Sequence, residues 1–520
     1  MEGTGVHGAV WWGCVLLLLA VAGCGSEADD GVVAPAPQPG VDVRQIEAEI
    51  RLDPETLRLG ARAALDVVHP DTLPTLALGL DDVLEVRTVR VDGEVVPHRR
   101  EADALYIPLD GGKRASQVEV VYRGVPETGA YRAEAAGQSV VYTDGWPDRT
   151  AGWLPGVHHP SDPARLDLTL VVPEAVEVVA SGVQVLDSLG GGSRHARFVL
   201  DEDSPLYTLA FAVADFEIVS QAASVPVRHA LLAADAPLAS RLDRTPAVLD
   251  TLAALFGPYP YDGYATVQVP MRYAGMENAA APFLRADLYG ATATGRNPIE
   301  EVNIHEAVHQ WWGNAVVPAD WRDLWLAEGP ATYFTVEVYA RLDGPAAGRR
   351  HLTVMSRTIE RDDAVRALVP PAYDDPEAVL TRTVYNKGGA VLHLLRLTLG
   401  DDVFWPAMRQ VVADFADRPL ATADFQQALE AASGRSLDDL FRVWVFDEGL
   451  PTLRTRWDRD TRTLAWEIEG DEGTLDRVPF ELYVRQGDEA WFVPATDGVF
   501  SPPGGGRPEV EPVGILLDVD

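Results

Sequence analysis

Cysteine is nearly absent: Cys14 and Cys24 are the only two, and nothing after residue 24 carries a thiol. A disulfide scaffold, a four-cysteine zinc site and a cysteine nucleophile are thereby excluded from the folded part. Lysine is equally scarce, occurring at Lys113 and Lys387 alone, so all but two of the 43 cations are arginine. Positive charge itself is in short supply, because 79 acidic residues oppose those 43 and leave a formal net charge of −36. A surface of that sign repels phosphate, which argues against a nucleic-acid partner and against charge-driven docking on anionic lipid. The apolar run 9–23 contains no charge, but its fifteen residues fall short of the about 20 needed to span a bilayer.

A hydrophobic fraction of 47% with 23% charged residues is that of globular protein, and 520 residues are enough for several domains. The run 9–23 suits the apolar part of an export signal. It ends in Val21-Ala22-Gly23-Cys24, which resembles a bacterial lipobox, whose cysteine is acylated and becomes the mature N-terminus. Val21 stands where leucine is usual, and no Lys or Arg precedes the run. Ordinary signal cleavage and an uncleaved anchor are the alternatives. The Pro/Gly/Asp-rich stretch that follows cannot bury enough surface to fold and reads as a tether. Residues 1–24 are thus expected to be a lipoprotein-type signal, 25–44 a tether, and Cys24 the lipid attachment in the cell envelope.

Strand patterning fills 45–222. Val89, Val91 and Val95 alternate around an Asp92-Gly93 hairpin signal, and Leu166, Leu168, Leu170 and Val172 alternate with Asp167 and Thr169. From about Pro226 helical periods appear, over 238–255 and 386–399. Alternation returns after Pro451, as in Leu464 to Ile468, until the tract Gly504-Gly505-Gly506 interrupts it. The chain divides into an N-terminal β domain (45–222), a mostly helical region (223–450) and a small β domain (451–520).

Residues 305–309 read His-Glu-Ala-Val-His. Positions i and i+4 of a helix lie on one face, so His305 and His309 can reach one cation. Glu306 stands about 100° round the helix from His305, close enough to take a proton from a metal-activated water without being a ligand. Glu328, in Leu324-Trp325-Leu326-Ala327-Glu328-Gly329, follows His309 after eighteen residues. A carboxylate on the next helix completes a two-histidine, one-glutamate site with an open position, the donor set of catalytic Zn²⁺.

At these residues the sequence resembles the aminopeptidase N family of zinc metallopeptidases, gluzincins that include leukotriene hydrolase. Ala274-Gly275-Met276-Glu277-Asn278 is similar to the family's GxMEN, and Tyr385-Asn386-Lys387-Gly388 to its Tyr-x-Lys-Gly. Phe256-Gly257-Pro258-Tyr259-Pro260-Tyr261 and Phe446-Asp447-Glu448-Gly449-Leu450-Pro451 also fit, with a weaker match in Trp153-Leu154-Pro155 and His159-Pro160-Ser161-Asp162. The likeness covers about 45–455. It implies a saddle-like all-β N-terminal domain, a thermolysin-like α+β catalytic domain, one zinc per chain and peptide substrates with free N-termini. Glu277 would pair with the substrate α-ammonium, and Tyr385 would donate to the oxyanion. Backbone groups of Ala274 and Gly275, beside Met276 and Asn278, would bind the substrate as an added strand.

Four departures set further expectations. Ala274 replaces the first glycine of GxMEN. Thr143-Asp144-Gly145-Trp146 stands where the family often carries Gln and Glu; Asp144 is the available second amine anchor, and Trp146 would narrow the first specificity pocket. Pro330, two residues after Glu328, is expected to displace that ligand slightly. The short stretch after Pro451 has no room for the helical C-terminal domain of longer members, which implies an open site. The sequence thus reads as an exported, lipid-anchored zinc aminopeptidase. A leukotriene hydrolase-like epoxide hydrolase and a degenerate peptide-binding lipoprotein are the alternatives.

Overall fold

The computed structural model describes residues 35–519, except 292–296, 358–365, 417, 471–480, 487–488, 496–497, 503–505 and 513–517. The signal run, Cys24, most of the tether, Gly504 and Gly505 lie outside the described residues.

An eight-stranded sheet runs in the order Val183–Gly190, Ser193–Ser204, Ala164–Pro173, Asp42–Leu52, Leu59–Val68, Ala115–Gly124, Glu85–Val91 and Glu94–Val96. Its pairings are antiparallel apart from Asp42–Leu52 with Ala164–Pro173. Leu166, Leu168, Leu170 and Val172 are buried, as their alternation requires. They share a core with Val141, Val178, Phe211 and Val213 of a four-stranded sheet, which makes the N-terminal domain a β-sandwich. Val95 departs from expectation. Val91 pairs with Glu94 and Arg90 with Val95 across the Asp92-Gly93 turn, so Val95 shares the outer face with Arg90 and is 65% exposed.

The region that carries His305 and His309 is built on a five-stranded sheet ordered Phe216–Gln221, Val227–Leu232, Tyr264–Val269, Phe283–Arg285 and Gly275–Met276. Its first strand precedes the sequence boundary at 222 but pairs antiparallel with Val227–Leu232. Around it stand helices α1 (Thr245–Phe256), α2 (Pro298–His309), α3 (Trp325–Leu342), α4 (Pro345–Arg357) and α5 (Arg382–Leu399). The single helix expected over 238–255 is two pieces, a 3₁₀ segment at Ala233–Leu242 and then α1. Pro246 has no N–H to direct at the Leu242 carbonyl, and the Thr245 hydroxyl donates to that carbonyl instead, at 2.8 Å. After 451 come a four-stranded and a three-stranded sheet. Their Leu453, Leu464, Leu482 and Val484 join the hydrophobic core of that helical region. The architecture is therefore the expected β-sandwich, α+β region and C-terminal β strands.

Candidate metal centre and active site

Helix α2 is buried along most of its length, because Ile299, Ile304, Ala307 and Val308 pack into the core. His305 and His309 are one turn apart, with their Nε2 atoms 3.2 Å from each other. Glu328, in the first turn of α3, places Oε2 3.3 Å from each of those nitrogens. His309 Nδ1 donates to the Trp312 carbonyl at 3.0 Å, which fixes the ring and turns Nε2 toward His305 and Glu328. Gly313, at φ +116°, lets the chain turn beneath that ring; a Cβ there would lie 3.2 Å from His309 Nδ1. Two imidazole nitrogens and one carboxylate oxygen converging this closely fit one tetrahedral zinc with an open position.

Two further carboxylates face the same space. Side-chain donor atoms of Glu277, Glu306 and His309 all lie within 4.8 Å of one another. Glu306 is 4% exposed and lies against Gly275, where a Cβ would stand 2.1 Å from Oε1. The Glu277 carbonyl accepts from Asn314 Nδ2 at 2.7 Å and Gln310 Nε2 at 3.3 Å. Gln310 Oε1 in turn accepts from the Ala280 amide at 2.9 Å. The residues after His309 thus hold the 274–278 segment against the helix that carries both histidines.

Burial and crowding set the charges. Burial pushes the Glu277 carboxyl up to about 6, with Glu328 adding to the rise and His309 opposing it. Burial, Glu277 and Glu328 also raise Glu306 well above the usual carboxylate range. Burial opposes the ionisation of Glu328, but His309 and His305 outweigh it and bring its pKa down to about 2. Burial likewise opposes protonation of His309, yet Glu328, Glu277 and Glu306 lift it to about 10. Three carboxylates buried around two imidazoles, two of them held back from ionising, would be relieved by a bound cation.

Tyr385 stacks on His305, with ring centroids 6.0 Å apart and planes at 24°. Burial and then Glu328, Glu277 and Glu306 push its phenol well above its usual range, so it remains an O–H donor. Two glycines set this arrangement. A Cβ on Gly388 would lie 3.0 Å from the Gly329 Cα, so α3 and α5 cross backbone to backbone immediately beside Glu328 and Tyr385. Lys387 faces away from the centre, where its ammonium donates to the carbonyls of Arg366 (3.1 Å), Asp447 (3.2 Å) and Gly449 (3.5 Å). Burial lowers its pKa to about 8.

Several expectations need correction. Pro330 lies inside α3, which continues to Leu342, and Glu328 still meets both histidines. The missing N–H falls one turn into the helix, where Gly329 already packs on Gly388. The Ala274 carbonyl is not free for substrate, because it accepts from the Arg285 amide at 3.0 Å. Gly275 and Leu284 are therefore a non-hydrogen-bonded pair, and the peptide groups of Gly275 point to the open edge of the sheet. Met276 is packed into the core, and Asn278 is fully buried with neither side-chain polar atom hydrogen-bonded. Asp144 is not free to be a second amine anchor. Its carboxylate lies 3.7 Å from Arg272 Nε and in the field of Arg149, and both arginines pair with Glu377. Trp146 is buried edge-on against Trp321 (4.9 Å) and Tyr207 (5.4 Å).

Sequence reasoning missed Tyr207. Its buried phenol lies beside Glu277 and in the field of Glu328. No spacing motif links it to the other residues, from which it is separated by a domain boundary.

Residues 241–444 match the Peptidase family M1 domain. The chain is 24% identical over 400 residues to "Probable aminopeptidase 1" of Saccharolobus solfataricus, a match over 72% of this chain and 50% of that protein. It is 25% identical to "Leucine aminopeptidase 2" of Eremothecium gossypii, over 80% of this chain and 67% of that one. This chain spans about half the length of the first curated relatives it matches. Among solved structures, an M1 zinc metallopeptidase from Deinococcus radiodurans superposes with a TM-score of 0.69 at 26% identity, covering 80% of this chain and 96% of that one. Legionella pneumophila aminopeptidase A shares the fold, with a TM-score of 0.75 at 16% identity over 93% of this chain and 60% of that one.

Proposed function

This chain carries a peptidase family M1 domain of the aminopeptidase N type, and from that premise we propose that it is a zinc aminopeptidase removing residues from the free N-termini of peptides. One observation carries the reading: His305, His309 and Glu328 converge at 3.2–3.3 Å, with the carboxylates of Glu306 and Glu277 facing the same space. His305, His309 and Glu328 would hold the zinc, which when bound polarises the scissile carbonyl and makes water acidic enough to be deprotonated.

The remaining chemistry belongs to the protein. The open edge of Gly275–Met276 receives the substrate backbone as an added strand, through the peptide groups of Gly275. Glu277 pairs with the α-ammonium, which fixes the first peptide bond of the substrate over the centre. Glu306, packed on Gly275, accepts the proton of the attacking water and passes it to the leaving amine. Tyr385 keeps its proton and donates to the oxygen where negative charge develops. Incubating the zinc-loaded protein with an unblocked pentapeptide should release single residues from the N-terminus, read by mass spectrometry. Cuts confined to internal bonds would replace this reading with an endopeptidase.

The reading extends to location. Cys24 after the apolar run 9–23, with a tether behind it, supports an exported protein held in the bacterial cell envelope by acyl chains. Cys24→Ala should move the protein to the soluble exported fraction. Unchanged membrane association would identify an uncleaved helix instead.

A further inference from the structure

Of the N-terminal-domain residues 143–146, neither Asp144 nor Trp146 can serve as a second hold on the amine. Asp144 faces Arg272 and Arg149, and the buried, unpaired indole N–H of Trp146 is a donor that cannot accept from an ammonium. The N-terminal domain nonetheless brings one polar group to Glu277. Tyr207 lies on the turn Leu206–Thr208, whose Thr208 carbonyl accepts from the Ala279 amide at 2.9 Å. That bond fastens the turn two residues beyond Glu277. The Tyr207 ring is gripped by Trp146 and by Trp321, each with centroids 5.4 Å away. The backbone behind it leaves no slack, since a Cβ on Gly145 would stand 2.4 Å from the Tyr207 carbonyl oxygen.

The side chain is 3% exposed, and the Glu277 carboxylate is the one group among the described residues that its hydroxyl has to donate to. No donor among the described residues reaches the lone pairs of that oxygen, and a buried polar atom held rigidly with unused acceptor capacity at a binding site points to a ligand that donates. A phenol can donate its hydrogen to a carboxylate while its oxygen lone pairs accept from an N–H. An ammonium group carries three N–H donors and is the natural third member beside a carboxylate and a phenol.

We propose that Tyr207 is the second anchor for the substrate α-ammonium, accepting one N–H while its own O–H is directed at Glu277. This rests on the aminopeptidase reading and deepens it. Specificity for free N-termini is then shared between a carboxylate of the catalytic region and a phenol of the N-terminal domain.

Tyr207→Phe keeps the ring against Trp146 and Trp321 and removes only the hydroxyl, so the fold is preserved. The assay uses leucyl and N-acetyl-leucyl aminomethylcoumarin with zinc-loaded protein, and inhibition by free L-leucine as a binding measurement. Tyr207→Phe should raise KM for the free-amine substrate, and weaken inhibition by leucine, about 10-fold, with kcat and the rate on the acetylated substrate unchanged. Adding Tyr207→Phe to Glu277→Ala should cost less than it costs the wild type, because the two groups act on one ammonium. KM and leucine inhibition within twofold of wild type would overturn the proposal, as would a loss confined to kcat or one equal on both substrates. A wild type that does not favour the free amine would instead overturn the aminopeptidase reading beneath it.

Discussion

Gly275 lies against Glu306 so closely that a Cβ on the glycine would stand 2.1 Å from Oε1 and 2.7 Å from Cδ of that carboxylate. The residue whose peptide groups face the open sheet edge therefore also forms the wall behind the candidate base. A side chain at 275 would either move Glu306 or push the edge strand away from it.

Gly275→Ala should accordingly lower kcat by about 10²-fold, the usual worth of a positioned general base, while zinc content stays at wild-type level. Steady-state kinetics with metal analysis on the same preparation checks this. Unaltered kcat would mean that Glu306 has room to move without consequence.

Metal binding and proton transfer should separate cleanly. His309→Ala removes a ligand and the donor to the Trp312 carbonyl, so zinc should be lost and activity with it. Glu306→Gln keeps the shape of the side chain and should retain zinc while losing about 10²-fold or more in kcat. Zinc retained in full by His309→Ala would reject the ligand assignment.

The crossing of α3 and α5 predicts a stability effect from a small change. Gly388→Ala places a methyl group 3.0 Å from the Gly329 Cα and should cost about 1–3 kcal/mol, with a matching fall in Tm. Gly111→Ala, where a Cβ meets nothing within 4 Å, is the control. Equal melting of the two variants would show that the helices can part without penalty.

How much of this was legible depends on the range of each constraint. His305, Glu306 and His309 were legible because helical spacing alone puts them on neighbouring faces. Glu328 and Tyr385 were legible through short motifs around them, but the reason those motifs end in glycine is the contact between Gly329 and Gly388. That contact joins residues 59 apart and appears only in three dimensions. Asp144 reads as a free anchor in the sequence because Arg272, which pairs with it, and Glu377, which shares that arginine, lie more than 120 residues away. Val95 was misplaced for a local reason: a two-residue turn reverses the parity of the alternation. Pro330 was overweighted, since a helix held on its neighbours tolerates one missing N–H. Tyr207 left no local signal, because its role depends on a turn of one domain being fastened to a strand end of another.

The central claim is that Glu277 makes this zinc site read a free N-terminus, and the most direct measurement is the ratio of kcat/KM on free-amine and N-acetylated versions of one aminoacyl-coumarin, in wild type and Glu277→Ala. The wild type should favour the free amine. Glu277→Ala should cut kcat/KM on that substrate by roughly 10- to 150-fold, the worth of a charge-assisted hydrogen bond, and leave the acetylated substrate untouched. An equal loss on both substrates, or a wild type that prefers the blocked one, would contradict the account.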